Sequence, residues 1–153
     1  MSLFSFDTSA LIGAHNELYP PATFGGLWRE LEAMIAAGRL FCSEEVLREL
    51  ERQDDALLAW AKAQSNLFVP MDTAIEAAVK RVVAIPNVVK GTSTENSADP
   101  FVVAVGIVRS ATVVSRERVG SPQRPKIPYL CNQLGVRHQT LEQFVASQGW
   151  SFT

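Results

Sequence analysis

At 153 residues, with 47% hydrophobic and 20% charged residues, the chain has the composition of a globular protein and is long enough to bury a core as a single domain over residues 1–153. A formal net charge of −2 argues against a protein that grips nucleic acid over its whole surface. No apolar run reaches the roughly 18 residues of a membrane span, and no signal-peptide pattern opens the chain, so we expect a cytoplasmic protein without a membrane partner.

The first predicted strand runs directly into an acidic residue. Leu3, Phe4 and Phe6 stand in strand-like order, the chain then continues as Asp7-Thr8-Ser9, and an apolar helical segment follows at once. This junction places the Asp7 carboxylate at the carboxyl end of a strand, where open parallel sheets bind ligands. Asp, Thr and Ser are also preferred helix N-caps, so a purely structural role for Asp7 is the alternative.

Helices and short strands alternate along the next part of the chain. The predicted segments are a loop over 15–26, a helix over 24–37 ended by Gly38, an extended piece over 39–42, a helix beginning after Ser43, a helix over 57–66, an extended piece over 67–70, a helix over 72–84 with Asp72 as N-cap, and a polar loop over 85–98.

Glu49 belongs to the helix that follows Ser43. At about 100° per residue, Leu50 lies to one side of Val46 and Glu49 to the other, so Glu49 borders the buried face. The alternative is a boundary residue whose stem reaches out to solvent.

The last third begins with the most apolar helix. Asp99 is predicted as its N-cap with Pro100 at the first helical position, and the helix should be central and buried. The remaining predicted segments are a buried strand over 112–114 that ends in Ser115-Arg116-Glu117, a helix over 129–134, a strand over 136–138, and a terminal helix with a capping box from Thr140 to Gln143. The alternation predicts an α/β protein, a three-layer α/β/α fold around a parallel sheet of about four to five short strands.

Neither the cysteines nor the histidines form a metal-binding pattern. Cys42 and Cys131 lie far apart and match no metal spacing, so we interpret both as buried apolar residues. His15 and His138 stand outside any ligand-like cluster, which argues against zinc.

Acidic residues instead recur at strand ends, at a helix start and at the edge of a buried helix face. They are Asp7, Glu49, Asp99 and Glu117. In a right-handed parallel fold such positions share one rim of the sheet, and carboxylates so close repel each other unless a cation lies among them. Hard oxygen ligands select Mg²⁺ or Mn²⁺, and the chemistry that suits such a rim is phosphodiester hydrolysis.

Basic residues concentrate in the segment 109–126. They are Arg109, Arg116, Arg118, Arg124 and Lys126, against the single acid Glu117. This segment, and Arg116, Arg118, Arg124 and Lys126 in particular, would hold a nucleic-acid backbone beside the acidic rim. A solvated loop is the alternative.

Four motifs together resemble the PIN-domain metal-dependent ribonucleases that include VapC-like toxins. The motifs, in the family's order, are Phe6-Asp7-Thr8-Ser9-Ala10-Leu11-Ile12, Val46-Leu47-Arg48-Glu49-Leu50, Ala98-Asp99-Pro100-Phe101-Val102-Val103-Ala104 and Thr112-Val113-Val114-Ser115-Arg116-Glu117. Other stretches are most similar to an uncharacterised PIN-like subfamily.

The resemblance implies a PIN-like fold with a Mg²⁺ or Mn²⁺ cofactor. It implies that Asp7, Glu49 and Asp99 coordinate the metal, with Glu117 as a fourth catalytic acid and Ser9 or Ser115 as hydroxyl helpers. It also implies RNA as substrate, a cognate antitoxin as partner, and a homodimer. Family toxins commonly carry Asp where Glu117 stands between two arginines, so an ion-pair role for Glu117 remains the alternative.

The predicted function is therefore a metal-dependent endoribonuclease, the toxin of a toxin–antitoxin pair. The alternative is a weakly active or inactive PIN-like module that binds RNA or a protein. A phosphatase of the haloacid-dehalogenase type requires a second acid two residues after the first, where Ser9 stands. A dinucleotide-binding role lacks its glycine-rich turn.

Overall fold

The computed structural model describes residues 2–53, 55–88 and 98–152. Within them a five-stranded, all-parallel sheet has the order β3-β2-β1-β4-β5. Its strands are β1 (Phe4–Phe6), β2 (Leu40–Ser43), β3 (Phe68–Val69), β4 (Thr112–Ser115) and β5 (His138–Thr140). The predicted α/β class and strand number are confirmed.

The helices lie in the connections between these strands and after the last strand. They are α1 (Thr8–Gly13), which continues as a π-helical turn over Ala14–Leu18, α2 (Gly25–Ala36), α3 (Glu44–Glu51), α4 (Ala56–Ala63), α5 (Thr73–Val83), α6 (Asp99–Arg109), α7 (Ile127–Leu134) and α8 (Leu141–Ser147). None of the helices in the described ranges is long and apolar enough to cross a membrane.

Alternate side chains of β1 enter opposite layers. Phe4 and Phe6 meet the ring of Phe144 on α8 edge-to-face, with centroids 4.8 and 4.9 Å apart. Between them, Ser5 points the other way, and its hydroxyl donates to the carbonyl of Val102 on α6 at 3.1 Å. Successive side chains of a strand face opposite sides of the sheet, so α8 and α6 cover opposite faces. The predicted three-layer architecture is confirmed.

The strand order reverses between β1 and β4. From β1 the chain builds outward through β2 and β3, then returns across to β4 and β5 on the other side. Ligands of open α/β sheets bind at the carboxyl ends of the strands at such a switch point. The backbone N–H of Asp7, just after β1, donates to Val114 of β4 at 2.9 Å, so the two strand ends lie side by side.

Several predicted boundaries differ from the observed ones; the helix predicted over 57–66 ends at Ala63, and the helix predicted over 129–134 begins at Ile127. Part of the loop predicted over 15–26 is the π-helical turn Ala14–Leu18, because the first helix-breaking prolines come only at positions 20 and 21. The last strand begins at His138, because the N–H of Val136 still closes α7 by donating to Cys131 at 2.9 Å. Helix α6 begins at Asp99 itself with Ala98 as N-cap. Residues 89–97 of the loop predicted over 85–98 lie outside the described residues.

Both cysteines are buried, as predicted. Burial raises the pKa of the Cys131 thiol to about 12 and raises that of Cys42 well above its usual range. Thiols held protonated in this way behave as small apolar residues.

Gly106 is where α6 approaches β4 most closely. A Cβ at Gly106 would lie 2.7 Å from Cγ2 of Val113, inside van der Waals contact. We expect Gly106→Ala to lower the free energy of unfolding by about 1–3 kcal/mol, because this overlap outweighs the better helix propensity of Ala. Urea denaturation measures the change. Gly25→Ala, where the nearest atom is an Arg29 nitrogen at 3.4 Å, is the control, and equal stability of the two variants would contradict the expectation.

Candidate metal centre

Three of the four predicted acids converge at the switch point of the sheet. Each of Asp7, Asp99 and Glu117 offers a carboxylate oxygen, and these oxygens lie within 4.8 Å of one another. Asp7 follows β1, Glu117 lies two residues after β4, and Asp99 is the first residue of α6. The cluster therefore forms because neighbouring parallel strands end, and the central helix begins, at one edge of the sheet.

Glu49 lies in the same cleft as the three converging acids. A cleft of about 390 Å³ is lined by all four acids. Glu49 is half-buried on α3, between the buried side chains of Val46 and Leu50, and its carboxylate accepts a hydrogen bond from the hydroxyl of Thr8 on α1. Sequence reasoning did not identify Thr8 as this partner, because the contact joins residues 41 positions apart.

Asp7 is both the N-cap of α1 and a lining residue of the cleft. One of its oxygens accepts the hydroxyl of Ser9 at 2.6 Å and the backbone N–H of Ser9 at 3.2 Å. The Ser9 hydroxyl in turn accepts the backbone N–H of Arg116 at 3.0 Å, which joins the chain after β4 to the start of α1. The two interpretations of Asp7 are thus compatible, since a capping carboxylate keeps lone pairs for another ligand.

Asp99 is the most deeply perturbed of the acids. It is 6% exposed, and its Oδ2 atom is buried without a hydrogen-bond partner in the described part of the chain. Burial, followed by the nearby Asp7, Glu117 and Glu49 charges, raises the pKa of Asp99 to about 10. Burial is also the main reason that the pKa of Asp7 rises to about 7. Buried carboxyls that repel each other and leave an oxygen unpaired are the environment that a cation relieves.

Glu117 does not pair with the arginines beside it in the described structure. Its Oε1 accepts the backbone N–H of Ile127, the first residue of α7, at 3.0 Å, and burial raises its pKa. The guanidinium of Arg116 instead lies 2.6 Å from a carboxylate oxygen of Glu17 and 4.0 Å from one of Glu142. Glu117 thus accepts a hydrogen bond from the N-terminus of α7 and forms no ion pair with Arg116.

The two predicted hydroxyl helpers differ in position. Ser9 lines the cleft and holds Asp7. Ser115 is fully buried, does not line the cleft, and bonds His138 Nε2 at 2.8 Å. Ser115 faces away from the cleft because successive residues of a strand point to opposite sides. Its one hydrogen bond to a cleft residue in the described structure is long, with the backbone N–H of Glu117 donating to the Ser115 hydroxyl at 3.5 Å.

None of the four predicted RNA-binding residues is among those that line the cleft. Arg118 and Arg124 are exposed, and Lys126 is the N-cap of α7, where its charge lowers the pKa of both Asp99 and Glu117. Arg116 is held by Glu17 and Glu142 as described above. Arg52, which sequence reasoning missed, does line the cleft, and its spacing of three residues from Glu49 on the helix was the available signal.

The donor set of the cluster fits a hard divalent cation. It consists of carboxylate oxygens, with no His or Cys among the three converging residues. Such ligands suit Mg²⁺ or Mn²⁺, and such an ion would satisfy the Asp99 oxygen that lacks a hydrogen-bond partner among the described residues.

Comparisons with known proteins support the fold. Residues 4–152 match the model of a family described as a domain of unknown function, DUF4411. A chain of the DNA-bound VapBC from Salmonella typhimurium is 14% identical with a TM-score of 0.54, over 92% of this chain and 99% of that chain. A chain of VapBC2 from Rickettsia felis, bound to a DNA fragment from its promoter, is 11% identical with a TM-score of 0.53, and the match covers 90% of this chain and 98% of that chain. No curated protein matches the sequence. The PIN-like fold implied by the sequence motifs is confirmed.

Proposed function

Because the chain belongs to the DUF4411 family and has the fold of chains in VapBC complexes, we propose that it is a Mg²⁺- or Mn²⁺-dependent endoribonuclease. The observation that carries the proposal is the convergence of Asp7, Asp99 and Glu117 oxygens within 4.8 Å, inside a cleft open to solvent. Uncompensated carboxyls cost stability, so a buried acidic cluster of this kind indicates a functional site.

The acids of the cleft would hold the cation, and neighbouring groups keep them in place. Asp7, Asp99 and Glu117 are the converging ligands, with Glu49 at the side of the cleft as the fourth acid. When bound, a divalent cation neutralises the phosphate and lowers the pKa of water. The chain itself supplies orientation: Ser9 holds Asp7, Thr8 holds Glu49, and the Ile127 N–H holds Glu117.

Protons are released when the acids take up a cation. In the metal-free protein, the raised pKa values of Asp7 and Asp99, about 7 and about 10, keep both carboxyls at least partly protonated near neutral pH. Cation binding requires the ionised form, so affinity rises with pH across this range.

We further propose that RNA is the substrate and that the protein is the toxin of a toxin–antitoxin pair. The exposed side chains of Arg118 and Arg124, with Lys126 beside the acids, offer charge for an RNA backbone. The antitoxin partner is supported by the two similar solved structures, which are VapBC complexes. A homodimer is part of the same proposal.

Incubation of the purified chain with single-stranded RNA tests the nuclease proposal. We expect cleavage with MgCl₂ or MnCl₂, none with EDTA, and products that carry a 5′-phosphate. RNA binding without cleavage under any of these metals would favour the inactive binding module. Cleavage that EDTA leaves unchanged would contradict a metal-dependent mechanism.

A further inference from the structure

Arg52 is the one basic side chain among the residues that line the acidic cleft in the described structure. It follows the last residue of α3 as its C-cap, and its N–H donates to the carbonyl of Glu49 at 3.2 Å. Residues three apart on a helix have Cβ atoms about 5–6 Å apart, so Arg52 stands one turn beyond Glu49 along the cleft wall.

The Arg52 side chain is exposed. No ion pair joins it to a carboxylate within residues 2–53, 55–88 and 98–152, although four acids line the same cleft. Arg48, one turn earlier on α3, is by contrast paired with Glu45. The guanidinium of Arg52 is therefore available to a ligand that enters the cleft.

A basic side chain at the position of Arg52 would reduce the repulsion between the acids of the cleft and the phosphates of an RNA strand. The converging acids would face the cation, and the buried Oδ2 of Asp99 points to a ligand at that place. An RNA strand also brings phosphates on either side of the one being cleaved, and these would be repelled by the acids that line the cleft, Glu49 among them. A guanidinium one turn away offsets that repulsion and forms two parallel hydrogen bonds to a phosphate.

We propose that Arg52 binds the phosphate that flanks the scissile one and so sets how single-stranded RNA lies in the cleft. This inference rests on the proposed nuclease function. It assigns Arg52 to substrate binding and leaves the reacting phosphate to the acidic cluster.

The test compares Arg52→Gln, Arg52→Lys and the matched control Arg48→Gln in MnCl₂ with a mixed-sequence single-stranded RNA. A contact to a flanking phosphate is made equally before and during reaction, so Arg52→Gln should raise KM about tenfold with kcat within about twofold. Arg52→Lys should recover part of the loss, since it keeps the charge without the fork geometry. Arg48→Gln should match the wild type.

A binding measurement separates failure of this inference from failure of the nuclease proposal. Anisotropy of a labelled single-stranded RNA in CaCl₂, at several salt concentrations, should show the salt slope of Arg52→Gln reduced by about 0.7, the value for one lost phosphate contact. A wild type that cleaves no RNA would overturn the nuclease function, and an unchanged slope would overturn the role of Arg52. A fall in kcat with KM unchanged would place Arg52 on the scissile phosphate and overturn the flanking assignment.

Discussion

Replacement of Asp99 by Asn is expected to abolish metal-dependent RNA cleavage, lowering kcat/KM by a factor of at least about 10³. The change removes the negative charge that ionised Asp99 would offer to a cation and leaves the size of the side chain almost the same. Asp7→Asn should have a similar effect, because both residues offer an oxygen to the point where the acids converge. Time courses of RNA cleavage in MgCl₂ and MnCl₂ measure the loss.

The control for these variants is another Asp→Asn change in the same chain. Asp72 is the N-cap of α5, accepts the N–H of Ile75 at 2.8 Å, and does not line the cleft. Asn caps helices about as well as Asp, so Asp72→Asn should keep both fold and activity. Circular dichroism should show all three variants folded. Full activity in both Asp7→Asn and Asp99→Asn would exclude the acidic cluster as the catalytic site.

The second large effect is that Asp99→Asn, although it should abolish activity, should make the metal-free protein more stable. Without metal, Asp99→Asn is expected to raise the free energy of unfolding at about pH 8 by at least about 1 kcal/mol, close to the value of a single pKa unit. The reason is that the buried Asp99 carboxyl, whose folded pKa is about 10, must take up a proton when the chain folds at this pH, and one of its oxygens has no hydrogen-bond partner in the described structure. An amide at this position carries no charge to desolvate.

The pH dependence of the wild type follows from the same groups. The folded pKa values of Asp7 and Asp99, about 7 and about 10, lie above the unfolded value of about 3.9. The native state thus binds protons more tightly, so the stability from these groups is complete below about pH 4 and is lost as the pH rises through the folded pKa values. Unfolding in urea with EDTA, from about pH 5 to about pH 8, should show declining stability in the wild type and a weaker decline in Asp99→Asn.

Cation binding should reverse this decline in the wild type alone. A ligand that binds only the native state stabilises it by mass action, so MnCl₂ should raise the stability of the wild type at about pH 8 and leave that of Asp99→Asn nearly unchanged. A wild-type stability that stays flat with pH in EDTA and does not respond to MnCl₂ would contradict a cation site among these acids.

The sequence by itself determined the features that depend on a few neighbouring residues. The N-caps Ser43 and Asp72 and the capping box of Thr140 and Gln143 are where the residue types predicted them. The strand-to-helix junction at Asp7 is also as predicted. These elements form because side-chain hydrogen bonds to the backbone and hydrophobic periodicity act over one or two turns of chain.

Only the tertiary structure decided which side chains share the cleft. Asp7 and Glu117 are 110 positions apart, and they meet because β1 pairs with β4 in the register Phe4↔Thr112. The same register, with the alternation of strand residues, turns Ser115 away towards His138. Arg52 enters the cleft because α3 packs beside α1, a contact that no local pattern encodes. Strand order and helix packing depend on burial of the whole core, so they assemble the site from residues whose individual signals are weak.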